Sequence, residues 1–213
     1  MPPYLLHVLK RAIWRTPLRA PLQRIATRLR TSEAAKHRIL LDIAEQYGLR
    51  IFIETGTYRG DTVAALAAAF DRVYSIELGT ELARQARSRF RGHPHISILH
   101  GDSGDILGPL AASLTAPALV WLDAHYSRGA GTAHGLEATP ILRELRHILS
   151  TPAQHVILID DARCFGYEPG YPTLRDVRRF IKARWPASRI SIKRGIIAII
   201  PVTGQPKASG LEP

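Results

Sequence analysis

Cysteine is almost missing from this chain: Cys164 is the single one. No intrachain disulfide can form, which excludes a small secreted fold built on cross-links. Long apolar runs are missing too. No stretch reaches the roughly 18 residues needed to span a bilayer, and the first residues lack the continuous apolar segment of a secretory signal. Acidic residues are absent from 1–30, where Lys10, Arg11, Arg15, Arg19, Arg24, Arg28 and Arg30 stand. Of the 29 Lys and Arg residues these are 7, which leaves 22 against 18 acids elsewhere. Most of the net charge of +11 therefore sits in a short arm. Such an arm meets an anionic membrane surface, an acidic partner or nucleic acid, or is simply a solvated helix face. Its Arg-rich, acid-free character also matches an organellar transit peptide, against which Pro17 and Pro21 count. The expected location is cytoplasmic, peripheral at a membrane if the arm binds lipid.

What is present suits one domain with its own core. Hydrophobic residues make up 46% of 213, enough for a sizeable core without staples. Residues 4–14 read as a basic amphipathic helix, broken by the two prolines, so 1–30 is expected to be a helical extension. Thr31 or Ser32 is placed to cap the next helix, whose apolar stripe is Ile39, Leu40 and Ile43 and which Gly48 ends. From residue 50 strands and helices alternate. Apolar runs at 51–53, 73–76, 96–99, 118–122 and 155–159 read as strands. Helices are expected after residue 60 and at 81–90, 140–149 and 174–185. Residues 190–193 and 196–200 flank Gly195 as a terminal hairpin. This order implies an α/β fold with a doubly wound, mainly parallel sheet of seven strands closed by an antiparallel hairpin. The domain is expected over 31–202 and a disordered tail over 203–213. The longest loop-like insert, 127–135, follows a strand end and is placed to cover a site.

Three acids follow three strand ends. The first strand runs into Glu54-Thr55-Gly56-Thr57-Tyr58-Arg59-Gly60. Its glycines permit a tight turn and close approach of a ligand to backbone. A carboxylate two positions before Gly56 would repel a pyrophosphate, so a dinucleotide is disfavoured; a sulfonium cofactor with a free amino group is not. Glu77 ends the second strand and is placed to accept both hydroxyls of a ribose. Asp102, in His100-Gly101-Asp102-Ser103, either faces an adenine amino group or caps the following helix.

Taken in order, these features resemble the class I S-adenosylmethionine-dependent methyltransferases over about residues 50–200. The resemblance implies a Rossmann-like methyltransferase fold with S-adenosylmethionine as cofactor. It implies that Glu54, Gly56 and Gly60 hold the methionine part, Glu77 the ribose and Asp102 the adenine, with Thr57 and Ser103 beside them.

Two further strand ends carry Asp123-Ala124-His125-Tyr126 and Asp160-Asp161-Ala162-Arg163. Adjacent parallel strands would bring Asp123, Asp160 and Asp161 to one edge of the sheet. Clustered carboxylates repel one another unless a cation or proton joins them, and an all-oxygen set suits Mg²⁺ or Ca²⁺. The alternative is that Asp160 or Asp161 pairs with Arg163 or caps a turn. The pattern resembles metal-dependent O-methyltransferases of the macrocin type, which act on antibiotic sugars. That resemblance implies Mg²⁺ held by Asp123, Asp160 and Asp161. Where those enzymes place an aspartate two residues after the first ligand, this chain has His125, which is expected to act as base with Asp123 in the catalytic set. The expected substrate is a small hydroxylated molecule. Methylation of nucleic acid or protein recruited by the arm, or a non-catalytic cofactor-binding module, are the other readings, and a homo-oligomer is compatible with all of them. Arg128 and His134 lie in the insert, within reach of a substrate. Cys164 reads as a packing residue.

Overall fold

The structure is a computed structural model that describes residues 31–123, 139–168 and 170–202. The arm at 1–30, the insert at 127–135 with Arg128 and His134, the candidate base His125, and the tail at 203–213 lie outside the described residues. Contacts divide the chain into units 1–33 and 34–213, and the fold below is that of the second.

Helix α1 (Glu33–Tyr47) leads into β1 (Ile51–Thr55). There follow α2 (Asp61–Leu66), β2 (Arg72–Glu77), α3 (Thr80–Arg89), β3 (Ile96–His100), α4 (Ser103–Ala112) and β4 (Leu119–Leu122). Then come α5 (Ile141–Ile148), β5 (Val156–Ile159), α6 (Leu174–Arg184), β6 (Arg189–Lys193) and β7 (Ile196–Ile200). The seven strands form one sheet in the order β3-β2-β1-β4-β5-β7-β6. The first five are mutually parallel, and β7 runs antiparallel between β5 and β6. The expected sheet, its hairpin and its strand count are all present. Among the described residues no helix is long and apolar enough to cross a membrane.

The strands are apolar on both faces because helices cover both. Phe52, Trp121 and Leu158 point to one side with Leu40, Val63, Leu66 and Phe70. Their neighbours Ile53, Val120 and Ile157 point to the other with Leu107, Leu145 and Ile181. This is the two-residue alternation of a pleated strand. Full burial of one such side chain stabilises by about 1.5–3 kcal/mol.

One helix was legible only through its cap. Helix α4 contains Gly104, Gly108 and Pro109, residues that argue against a helix by propensity. Packing against α5 explains the glycines. A Cβ at Gly104 would overlap the Arg143 guanidinium, and one at Gly108 would lie 2.7 Å from His147 Nδ1. The sheet order places the reversal of winding between β1 and β4. Ligands of open α/β sheets bind at such a switch point, outside the carboxyl ends of the strands.

Candidate active site

The first wall is the turn after β1. The N–H groups of Gly56 and Thr57 both donate to Ile76 O, at 2.9 and 3.2 Å, so the pairing with β2 continues past the strand end. The chain then reverses through left-handed conformations at Gly56 (φ 88°), Tyr58 (φ 48°) and Gly60 (φ 76°). Gly60 is required twice over, since a Cβ there would also lie 2.8 Å from the Phe90 ring. Tyr58 pays for its unfavourable backbone with a hydrogen bond, its N–H donating to Glu77 Oε2 at 2.7 Å. Glu77 Oε1 accepts from Gly79 N–H at 2.8 Å. One buried carboxylate thus pins the turns after β1 and β2 together. Each of its oxygens has lone-pair capacity left for a diol.

Glu54 lies deeper, 1% exposed. Ser75 Oγ donates to Glu54 Oε2 at 2.6 Å, and Thr57 Oγ1 stands 2.6 Å from Ser75 Oγ. Ser75 has one hydroxyl proton, so with Glu54 ionised Thr57 donates to Ser75 and Ser75 to Glu54. Burial pushes the Glu54 carboxyl up to about 8; hydrogen bonds from Ser75 and Thr62 oppose this, and the nearby charge of Glu77 adds to it. A cation brought to this carboxyl would favour its ionised form.

Asp102 takes the capping role. Its side chain accepts from Gly104 N–H at 2.8 Å, and Arg143 Nη2 bridges both its oxygens at 2.9 Å. Arg143 Nη1 reaches Asp105 as well. Ser103, buried beside it, hydrogen-bonds Glu144.

The second wall is the end of β4 and β5. Asp123 N–H donates to Thr55 O, and Asp160 N–H to Leu122 O. Backbone pairing therefore carries both aspartates to the same edge, beside Gly56. Their side chains have different partners. Lys36 Nζ donates to Asp160 Oδ2 at 2.5 Å, with Lys36 6% and Asp160 7% exposed. Asp161, in a left-handed turn (φ 51°), pairs with Arg163 at 2.7 Å. Burial pushes Asp123 well above the usual carboxylate range. The charge of Asp160 adds to this, Lys36 opposes it, and Glu54 and Asp161 add further. Among the described residues no three His, Cys, Asp or Glu side chains are arranged to hold a metal ion. The expected Mg²⁺ triad is thus not assembled: Asp160 is bound by an ammonium and Asp161 by a guanidinium. The ion-pair alternative for Asp161 is the one observed.

A small recess with free space of about 10 Å³, room for about one water, opens along this edge, lined by Asp123, Glu144, Asp160, Phe165 and Tyr171 among others. Glu144 is 1% exposed. Burial pushes it up to about 7, opposed by hydrogen bonds from Ser103 and Thr55, and its Oε1 has no hydrogen-bond partner among the described residues. Cys164 is half-buried, its thiol pushed up to about 11 mainly by burial. That agrees with a packing role.

No protein-family model matches the sequence, and no curated protein matches it. Solved structures do match. The O-methyltransferase TomG from Streptomyces achromogenes, in complex with SAM, is 22% identical with a TM-score of 0.56, covering 80% of this chain and 82% of its own. An O-methyltransferase from Bacillus cereus, in complex with SAH, is 20% identical with a TM-score of 0.55, covering 86% and 90%. The 23S rRNA methyltransferase ErmE is 16% identical with a TM-score of 0.53, covering 80% and 68%. This chain has the Rossmann-like methyltransferase fold. Within the methyltransferase fold, two buried charged residues join the site that the sequence reading did not single out. Lys36 stands four and eight residues before Leu40 and Ala44, and all three are buried on one face of α1. Glu144 lies between Ile141, Leu145 and Ile148 on the buried face of α5. In both cases the signal was a charged residue on an apolar stripe, a position that lysine and glutamate rarely occupy unpaired.

Proposed function

We propose that this chain is an S-adenosylmethionine-dependent methyltransferase acting on a hydroxyl of a small molecule. The observation that carries the reading is Glu77: a buried carboxylate at the end of β2 that ties down the Gly56–Gly60 turn at the switch point of the sheet. In this reading the cofactor ribose lies on Glu77 and its amino group meets Glu54. Thr57, Gly56 and Gly60 shape the backbone around its methionine part, and Asp102 and Ser103 border its adenine. The bound cofactor supplies the activated methyl group. The chain supplies alignment and exclusion of water. His125, two residues beyond Asp123, is assigned the base, because an imidazole of ordinary pKa about 6.5 accepts a hydroxyl proton near neutral pH. Divalent-metal assistance by Asp123, Asp160 and Asp161 does not fit the ion pairs of Asp160 and Asp161, and no step is routed through a metal.

Methylation of nucleic acid is the second reading. It draws support from Arg175, Arg178 and Lys193, exposed along α6 and β6. A steep loss of RNA affinity with salt would favour it. The first reading is tested by calorimetry with S-adenosylhomocysteine. Glu77→Ala removes a charged acceptor worth roughly 1.5–3 kcal/mol per hydrogen bond. Affinity should fall at least about tenfold, and unchanged affinity in a folded variant would overturn the assignment.

A further inference from the structure

Burying a lysine ammonium is costly unless a carboxylate and good geometry compensate. Lys36 is almost fully buried, reaches 124 residues along the chain to Asp160, and approaches its carboxylate to 2.5 Å. It binds Asp160, and its charge acts at Asp123 against those of Asp160, Glu54 and Asp161; carboxylates so grouped repel one another unless a cation or a proton joins them. Lys36 is well placed to be that cation. Arg163 serves Asp161 at the outer side. A second buried acid stands at the same edge: Glu144 lines the small recess there, and one of its oxygens has no hydrogen-bond partner among the described residues.

We propose that Lys36 is the resident cation of the acceptor site, taking the place of a divalent ion among the carboxylates at the ends of β4 and β5, so that the site accepts a substrate presenting a single hydroxyl. A divalent ion at such an edge takes substrate oxygens as ligands, which favours acceptors with two adjacent oxygens. A lysine ammonium imposes no such chelation. Lys36 is a positioning residue here: it acts through Asp160 and the charge balance of the edge. The single-hydroxyl part rests on the methyltransferase reading; the cation part does not.

The test reads metal binding directly. The full chain, freed of metal with EDTA, is titrated with Mn²⁺ and followed by water-proton relaxation. Wild type should show no saturable site at these carboxylates. Lys36→Met leaves them without their cation and should tighten Mn²⁺ binding at least about tenfold, and adding Asp160→Asn should abolish the gain. If Lys36→Met does not fold, Lys36→Gln, which keeps a neutral hydrogen-bond donor for Asp160, should show the same tightening, and a folded Lys36→Gln that binds no more Mn²⁺ than wild type would overturn the proposal. Saturable wild-type binding that Asp160→Asn removes would overturn the proposal, as would a folded Lys36→Met that binds no more Mn²⁺ than wild type. With labelled cofactor, a phenol should be methylated in EDTA at least as well as the matching catechol. Catechol turnover that EDTA abolishes would overturn the single-hydroxyl part. Loss of S-adenosylhomocysteine binding in wild type would instead count against the methyltransferase reading and leave the Mn²⁺ result standing.

Discussion

Binding of S-adenosylhomocysteine at pH 7 should release close to one proton. The source is Glu54, whose carboxyl burial pushes up to about 8. A group with that pKa is about nine-tenths protonated at pH 7. The α-ammonium of the ligand brings a cation against it and favours the carboxylate, so about 0.9 proton leaves on binding. Affinity should therefore rise by up to about tenfold per pH unit between pH 6 and 8 and level off above. Calorimetry in buffers of different ionisation enthalpy measures the proton count as a slope. Glu54→Gln should bind more weakly at pH 8, without proton release and without the pH dependence. The ligand-free protein offers an independent check. A folded pKa raised from 4.5 to about 8 means the folded state binds more protons across that window. The contribution is complete below pH 4.5 and lost as pH rises through 8, in total about 5 kcal/mol. Glu54→Gln should be less sensitive than wild type over the same window. A wild-type binding enthalpy independent of buffer would refute the reasoning, and so would proton release that survives Glu54→Gln.

Two further outcomes follow from burial. His155 is buried, its Nδ1 accepting from Ala118 N–H at 3.0 Å, and burial pushes it down to about 4. Its contribution is present above pH 6.5 and lost as pH falls through 4, about 3 kcal/mol in all; urea midpoints of His155→Gln should fall less than those of wild type across that interval, and parallel curves would count against it. The Cys164 thiol, pushed up to about 11, is about one-thousandth thiolate at pH 8. Its reaction with a disulfide reagent should be at least about a hundredfold slower than that of free cysteine and should accelerate on unfolding; rapid labelling of the folded chain would refute the packing role.

The sheet was legible because its signal is strong and local. Five apolar runs separated by helices of ordinary length admit few arrangements, and Gly195 between two Ile-rich segments marks a hairpin. The glycine turn and Glu77 were legible for the same reason: both lie within a few residues of a strand end. The fate of the aspartates was not. Register brings Asp123 and Asp160 together as adjacent strands require, but their partners are decided by side chains far away in sequence. Lys36 comes from a helix that precedes the sheet, and pattern alone cannot say which strand end a lysine on an apolar stripe will meet. Helix α4 was obscured because its glycines answer to Arg143 and His147 on α5, a tertiary demand that outweighs propensity. The stripe expected in α1 at Ile39, Leu40 and Ile43 is centred instead on Lys36, Leu40 and Ala44, with Ile39 and Ile43 packed at its margin.

Strand β7 enters the sheet between β5 and β6 after a long excursion through α6 and β6. Until residues 196–200 are in place, Val156–Ile159 is an open edge of four buried-type residues with unpaired backbone groups, the kind of edge that templates pairing with another chain. The same late arrival props the site, because Gly195 O receives Ala162 N–H at 2.8 Å, next to Asp160 and Asp161. During synthesis the aspartate edge thus gains its last support only after about forty further residues have been added.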